Sequence, residues 1–252
     1  MPHPALEIED LHVSYGEKEV VKGISFTIQP GELVGYLGPN GAGKSTTLKA
    51  VVGMVRPSSG GIGVAGANAI CDIMNARQLT GFLHESGAVY DVLTPREHFA
   101  LIADLRRIER AKLLRRGEEL LDFLDLPIDA RDRRMQEFSK GMKQKVAISA
   151  ALLHDPPLLL LDEPINGLDV NATSRFKELL LDYVRRGNTV LYSSHLLDVV
   201  ERVCKRVIII NQGKVLADLA MDTIRQSHPG KTLEQLFQEL TGYEPVKAES
   251  VA

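Results

Sequence analysis

The sequence predicts an α/β fold: a mostly parallel sheet with an antiparallel β subdomain and an inserted α-helical lobe. Three observations predict it. Short apolar runs alternate with helical segments through the second half of the chain, the mark of parallel strands joined by crossover helices. A glycine-rich turn falls between an apolar strand and a helix near residue 40. A charged block with helical periodicity and few strand signals, about residues 90–154, interrupts the alternation.

The elements follow in chain order. Leu6–Val13 and Val20–Ile28 lie on either side of Tyr15-Gly16-Glu17 and read as an antiparallel pair. Pro30-Gly31 turns the chain into the apolar strand Leu33–Leu37, and Thr46–Val52 reads as a helix. Pro57-Ser58-Ser59-Gly60-Gly61 is a second turn, followed by a weak strand broken by glycines. A further strand is expected at Thr80–Leu83. Thr94-Pro95-Arg96-Glu97 carries the marks of a helix start: a capping hydroxyl, proline at the first position, then an early acid. The chain reads helical from there to about Leu124. Ser139 caps another helix, with Met142, Val146, Ala150 and Leu153 on one face. Strand Leu158–Leu161, helix Ala172–Val184, strand Thr189–Ser193, helix His195–Val203 and strand Arg206–Ile210 then alternate. The expected organisation is one domain over 1–220, with the lobe of about 90–154 inserted in it, and a helical C-terminal extension over 221–252.

Composition narrows the function. Lys and Arg total 30 against 33 Asp and Glu, a net charge of -3, which argues against a dedicated nucleic-acid binder. The two cysteines, Cys71 and Cys204, form no CxxC pair or Cys/His cluster, so neither a metal site nor a disulfide framework is expected. Met-Pro-His-Pro at the N-terminus does not read as a signal peptide. The longest apolar runs, Leu158–Leu161 and Val207–Ile210, are far short of the roughly 18 residues of a membrane span. The expectation is a chain that spans no membrane by itself.

The chemistry begins at Gly38-Pro39-Asn40-Gly41-Ala42-Gly43-Lys44-Ser45-Thr46, which fits G-x-x-x-x-G-K-[ST] between a strand and a helix. Glycines in such a loop let backbone N–H groups curl inward as an anion nest, and the helix adds its positive end. Lys44 can reach the β- and γ-phosphates of a nucleotide, and Ser45 can ligate Mg²⁺. Leu158-Leu159-Leu160-Leu161-Asp162-Glu163 is an apolar run that ends in acid and delivers carboxylates to a phosphate site. Asp162 is a candidate Mg²⁺ ligand, and Glu163 a candidate base for water. His195 follows another predicted strand, at the carboxyl edge where ligands of such sheets gather, and reads as a γ-phosphate contact. Phe138-Ser139-Lys140-Gly141-Met142-Lys143-Gln144 opens the helix before the Asp-Glu strand. A hydroxyl and free N–H groups there also suit phosphate.

In order and spacing these elements resemble the ATP-binding-cassette ATPases, over nearly the whole chain. The resemblance implies a P-loop NTPase core of RecA-like type and an ATP- and Mg²⁺-dependent ATPase. Phe138–Met142 stands at the family's signature. Tyr15 looks like the aromatic that stacks on adenine. Asn166-Gly167-Leu168-Asp169 looks like the D-loop, which reaches across a dimer, and His195 like the switch histidine. Two subunits, expected to be identical, would pack head to tail, with each ATP between one P-loop and the other chain's Ser139–Gly141. The C-terminal segment Thr232–Gly242 resembles the tail of ATPases from drug-, sodium-, lipid- and polysaccharide-type exporters. It also reads as an ordinary amphipathic helix, with Leu233, Leu236, Phe237 and Leu240 at helical spacing. A separate transmembrane permease is implied, with this chain peripheral on the cytoplasmic face of the membrane.

Three departures stand out. Phe138, Lys140 and Met142 replace the usual Leu, Gly and Gln of the signature. Glu85 stands where the family commonly has the Q-loop glutamine, and is a candidate Mg²⁺ ligand. His84 precedes it where related exporters often have Pro. Arg106, Arg107, Arg110, Arg115 and Arg116 make the lobe basic, as a solvated face or a docking surface. A ribosome- or DNA-acting cassette is the alternative; one P-loop, no coiled coil and no basic excess speak against it.

Overall fold

The computed structural model describes residues 3–195, 197–227 and 230–242. Strands β1 (Leu6–Tyr15) and β2 (Lys18–Ile28) form the expected antiparallel hairpin. β3 (Leu33–Leu37) leads into α1 (Lys44–Val51). Next come β4 (Ser59–Val64), β5 (Ala67–Asn68), α2 (Ile73–Gln78) and β6 (Thr80–Leu83). The lobe region holds α3 (Pro95–Arg106), α4 (Arg110–Phe123) and α5 (Lys140–Leu152). Then follow β7 (Leu158–Asp162), α6 (Val170–Arg185), β8 (Thr189–Ser194), α7 (Leu197–Val203), β9 (Arg206–Asn211), β10 (Lys214–Ala220), α8 (Met221–Ser227) and α9 (Leu233–Thr241).

The strands make two sheets, in the orders β2-β1-β4-β5 and β10-β9-β3-β8-β7-β6. The first is antiparallel. In the second, β9, β3, β8, β7 and β6 run parallel and β10 is an antiparallel edge. That edge and α2 were not expected from the sequence, whereas α8 falls in the expected helical extension. The residues of β3, β7 and β8 are buried throughout, as parallel strands covered on both faces must be. Their side chains alternate between the faces. Leu33, Leu37, Leu159, Leu161, Val190 and Tyr192 join a cluster with the lobe helices, α6, α7 and α9. Val34, Tyr36, Leu158, Leu160 and Leu191 join one with α1 and the antiparallel sheet.

Register places the chemistry. Parallel pairing sets Leu37 opposite Ser194, Asp162 opposite Ser193, and Leu83 opposite Leu161. The loops after β3, β6, β7 and β8 therefore leave one edge of the sheet together.

The single helical stretch expected from Thr94 to Leu124 is two helices. Arg107 takes a left-handed turn at φ 56, and Ile108 N–H returns to the Ala103 carbonyl at 2.9 Å. Ile108 then packs on the core, and this apolar anchor breaks the run. At the start of α3, Thr94 and Glu97 form a reciprocal capping box. The basic lobe face is partly spent internally. Arg106 turns inward to the carbonyls of Arg77 and Thr80, at 3.1 and 3.2 Å, while Arg110 pairs with Asp104 and Arg116 with Glu119. On α9, Leu233, Leu236 and Phe237 are buried as its periodicity predicts, whereas Leu240 is exposed. No helix among the described residues is long and apolar enough to cross a membrane.

Candidate active site

The loop after β3 is shaped by two glycines in left-handed conformations, Gly41 at φ 80 and Gly43 at φ 113. A side chain is also barred at Gly38, where an added Cβ would collide with the Ile210 carbonyl. The loop closes on itself through Ala42 N–H to the Pro39 carbonyl at 3.1 Å, and Gly213 N–H donates to the Ala42 carbonyl at 2.9 Å. Lys44, buried at the start of α1, donates to the carbonyls of Gly38 at 2.6 Å and Pro39 at 3.2 Å. Burial lowers its pKa; Glu163, then Asp162, then Glu85 oppose that shift by their negative charge.

Beside the loop, β7 delivers its two acids. Asp162 is fully buried, and its Oδ1 accepts from Ser193 Oγ on β8 at 3.1 Å. Its Oδ2 is buried with no hydrogen-bond partner. Glu163 sits at φ 49, a left-handed conformation that costs about 1–2 kcal/mol for a residue with a Cβ. Its N–H donates to the Ser193 carbonyl at 3.1 Å. Its carboxylate is held at both oxygens: Oε1 lies 2.8 Å from His195 Nδ1, and Oε2 accepts from Ser194 Oγ at 3.3 Å. His195 lies just past β8, ahead of α7, and its side chain is half exposed.

A cleft of about 350 Å³ joins these groups. Asn40, Gly41, Ala42, Gly43, Lys44, Ser45 and Thr46 line one side, and Glu85, Asp162, Glu163 and His195 face them. Val20 of β2 completes the wall, a contribution sequence reasoning missed. Gly38 and Pro39 line an adjoining recess of about 190 Å³ with His195, Leu197 and the α9 residues Glu234, Phe237 and Gln238. Such a cleft offers a cationic lysine, a ring of backbone amides and a facing set of carboxylates, which suits a polyphosphate accompanied by a cation. A hard divalent cation wants oxygen donors. The unsatisfied Oδ2 of Asp162, the Ser45 hydroxyl and the Glu85 carboxylate at the same cleft fit that demand.

Four predicted residues line neither the cleft nor the adjoining recess. Tyr15 ends β1 at the hairpin tip, half exposed, and does not line it. Ser139 caps α5, accepting from Met142 N–H at 3.3 Å. Gly141 lies within α5 and packs against Gly167. Asp169 caps α6 through Ala172 N–H at 2.8 Å, a bond that holds its carboxyl below the usual range. Ser193 and Ser194 went unnoticed in the sequence as supports of the two acids. The only available signal was their place at a strand end before His195.

Comparison with known proteins agrees with this geometry. The family model described as ABC transporter matches residues 21–166. The chain is 36% identical over 231 residues to the linearmycin resistance ATP-binding protein LnrL of Bacillus subtilis (strain 168), covering 92% of this chain and 74% of that one. It is 35% identical over 237 residues to the Nod factor export ATP-binding protein I of Paraburkholderia xenovorans (strain LB400), covering 94% and 78%. Among solved structures, an ATP binding subunit of an ABC transporter superposes with a TM-score of 0.87 at 35% identity, over 94% of this chain and 99% of that one.

Proposed function

The chain belongs to the ABC transporter family as an ATP-binding, ATP-hydrolysing subunit, and from that premise we propose how its residues divide the work. The observation that carries the reading is the convergence of Lys44, Glu85, Asp162, Glu163 and His195 on one cleft floored by the glycine-rich loop. The backbone N–H groups of the glycine-rich loop, to which Pro39 contributes none, and the Lys44 ammonium bind the ATP phosphates. Bound phosphate takes the Lys44 ammonium from the Gly38 and Pro39 carbonyls it now meets. Tyr15 stacks on the adenine. Ser45, Asp162 and Glu85 are the residues that would hold Mg²⁺, which supplies positive charge against the phosphates.

Glu163 accepts the proton of the attacking water. Ser194 and His195 orient its carboxylate, so the base meets the water in one direction. His195 also faces the γ-phosphate from the cleft wall. Asp162 accepts from the Ser193 hydroxyl, which fixes its Oδ1 and leaves Oδ2 for the metal. Cassettes of this family act as dimers, as subunits of transporters. Ser139, Gly141 and Asp169 therefore serve a second copy: each is a local helix element in its own chain and lies outside its own cleft. The lobe of about 90–154 is read as the unit that carries Ser139, and 221–252 as a C-terminal extension, of which 228–229 and 243–252 lie outside the described residues; Glu234, Phe237 and Gln238 line the recess at Gly38. The complete machine is read as an exporter, with two copies of this chain on the cytoplasmic face of a membrane permease. The export and resistance proteins to which the chain is similar support that reading.

The test is complementation in trans. Ser139→Arg and Lys44→Ala subunits are each expected to be inactive alone. Mixed, each heterodimer regains one intact composite site, so ATPase activity returns to a fraction of wild type. No recovery, with heterodimers shown to form by tagged co-purification, refutes the shared site.

A further inference from the structure

One buried side chain of α5 joins segments that the catalytic reading treats separately. Gln144, in the second turn of α5, is 2% exposed. Its Nε2 donates to the Pro164 carbonyl at 2.6 Å. Pro164 is buried and directly follows Glu163, and a buried carbonyl is costly to leave without a donor. The amide oxygen lies against Gly87: a Cβ built there would collide with Gln144 Oε1, and Gly87 itself adopts φ 55. Gly87 N–H closes a tight turn onto the His84 carbonyl at 2.9 Å, and that turn carries Glu85.

The consequence concerns Glu163. Its own N–H is fixed to β8 through the Ser193 carbonyl at 3.1 Å, in a left-handed backbone. The carbonyl of the following residue, Pro164, is fixed to α5 through Gln144. Pro164 has a locked φ, so little slack separates the two anchors. One anchor is on the sheet, the other on the helix that opens at Ser139.

We propose that Gln144 is a positioning residue that ties Glu163 to α5, so that the orientation of the catalytic carboxylate follows the position of that helix. The inference rests on the reading of Glu163 as the base.

Gln144→Glu and Gln144→Met test it. The glutamate variant keeps the shape. Its acid, buried against a carbonyl, titrates above the ordinary carboxylate range; when protonated it donates to Pro164, and when ionised it repels it. At pH 8 both variants are expected to lose about 10- to 100-fold in kcat, the effect of a misplaced reacting group. Their affinity for ATP, measured by calorimetry, stays within a factor of about two, because no phosphate contact is touched. Between pH 8 and 6 the rate of Gln144→Glu, divided by that of wild type, rises; that of Gln144→Met does not. A merely structural role moves affinity and thermal midpoint but has no reason to restore kcat with protonation. A ratio flat in pH for Gln144→Glu, wild-type rates in both variants, or ATP affinity falling as much as kcat overturns the proposal. If Gln144→Glu does not fold, a wild-type kcat in Gln144→Met overturns it alone. Glu163→Gln, run alongside, separates the two readings: full activity there removes the base itself, whatever Gln144 does.

Discussion

Glu163→Gln replaces one carboxylate oxygen by an amide nitrogen in a side chain that is 7% exposed. The substitution keeps the volume. A glutamine oxygen still accepts from Ser194 Oγ, now 3.3 Å from the carboxylate, and its NH₂ faces His195 Nδ1, now 2.8 Å away. The fold therefore tolerates the change. What disappears is the proton acceptor, whose loss removes roughly 10² to 10⁴ in rate, or about 3–5 kcal/mol of transition-state stabilisation at 1.36 kcal/mol per decade. ATP binding moves the other way. Glu163 is the first of three carboxylates whose charge acts on Lys44, ahead of Asp162 and Glu85. Removing it lowers the negative charge that the incoming phosphates meet, so affinity holds or rises. Single-turnover phosphate release with excess enzyme reads the chemical step, and calorimetry with ATP and Mg²⁺ reads binding. Slow hydrolysis also traps the ATP-bound dimer, visible by gel filtration. A rate within about threefold of wild type would falsify the assignment; an affinity loss that parallels the rate loss would instead make Glu163 a binding group.

Lys44→Ala removes the cationic side chain that lines the cleft opposite its carboxylates, and calorimetry is expected to detect no ATP binding; wild-type affinity refutes the phosphate-binding reading of the loop. Glu85→Gln is expected to keep ATPase activity and change its Mg²⁺ dependence, since Glu85 lines the same cleft as Asp162; Glu85→Ala leaves some hydrolysis but little transport, and superimposable Mg²⁺ curves for all variants show that Glu85 never meets the metal. His154 bonds the Thr80 carbonyl at 3.2 Å, and burial, with Arg106 nearby, lowers its pKa from 6.5 to about 4. The unfolded chain then binds more protons between those values, so this histidine's contribution is complete above pH 6.5 and lost as pH falls toward 4, by as much as about 3 kcal/mol. Urea unfolding at pH 7 and pH 5 should show that slope in wild type and a shallower one in His154→Gln, which keeps a donor for Thr80; equal slopes exclude His154 as its source.

Much of the site was legible because its parts are contiguous. The glycine-rich loop announces itself as strand, turn and helix within Leu33–Val51. The Asp162-Glu163 pair ends an apolar run, and Thr94 and Ser139 cap the helices they were expected to cap. Capping and strand burial are local: the residues that make the pattern also make the contact. Even Glu85, out of step with the family's usual residue, reaches the cleft because a strand of fixed direction ends beside it.

Other parts depend on partners far away in sequence. Ser193 and Asp162 are 31 positions apart and meet through the parallel register of β7 and β8, which no local periodicity encodes. Gln144 reads as one more polar residue of a helix until Pro164, 20 positions on, is folded against it. Arg106 looked like a surface charge, yet its guanidinium turns inward to the carbonyls of Arg77 and Thr80, residues that lie far from it in sequence. Tyr15 shows the reverse case, since a motif position alone does not bring the ring into the cleft. By itself the sequence determined the α/β class, the phosphate loop and the acids at the strand end, because backbone geometry and burial periodicity are written in neighbouring residues. Which side chains hold those acids, and which helix Glu163 is tied to, was decided by the tertiary structure, where strand pairing and packing bring distant residues within hydrogen-bond reach.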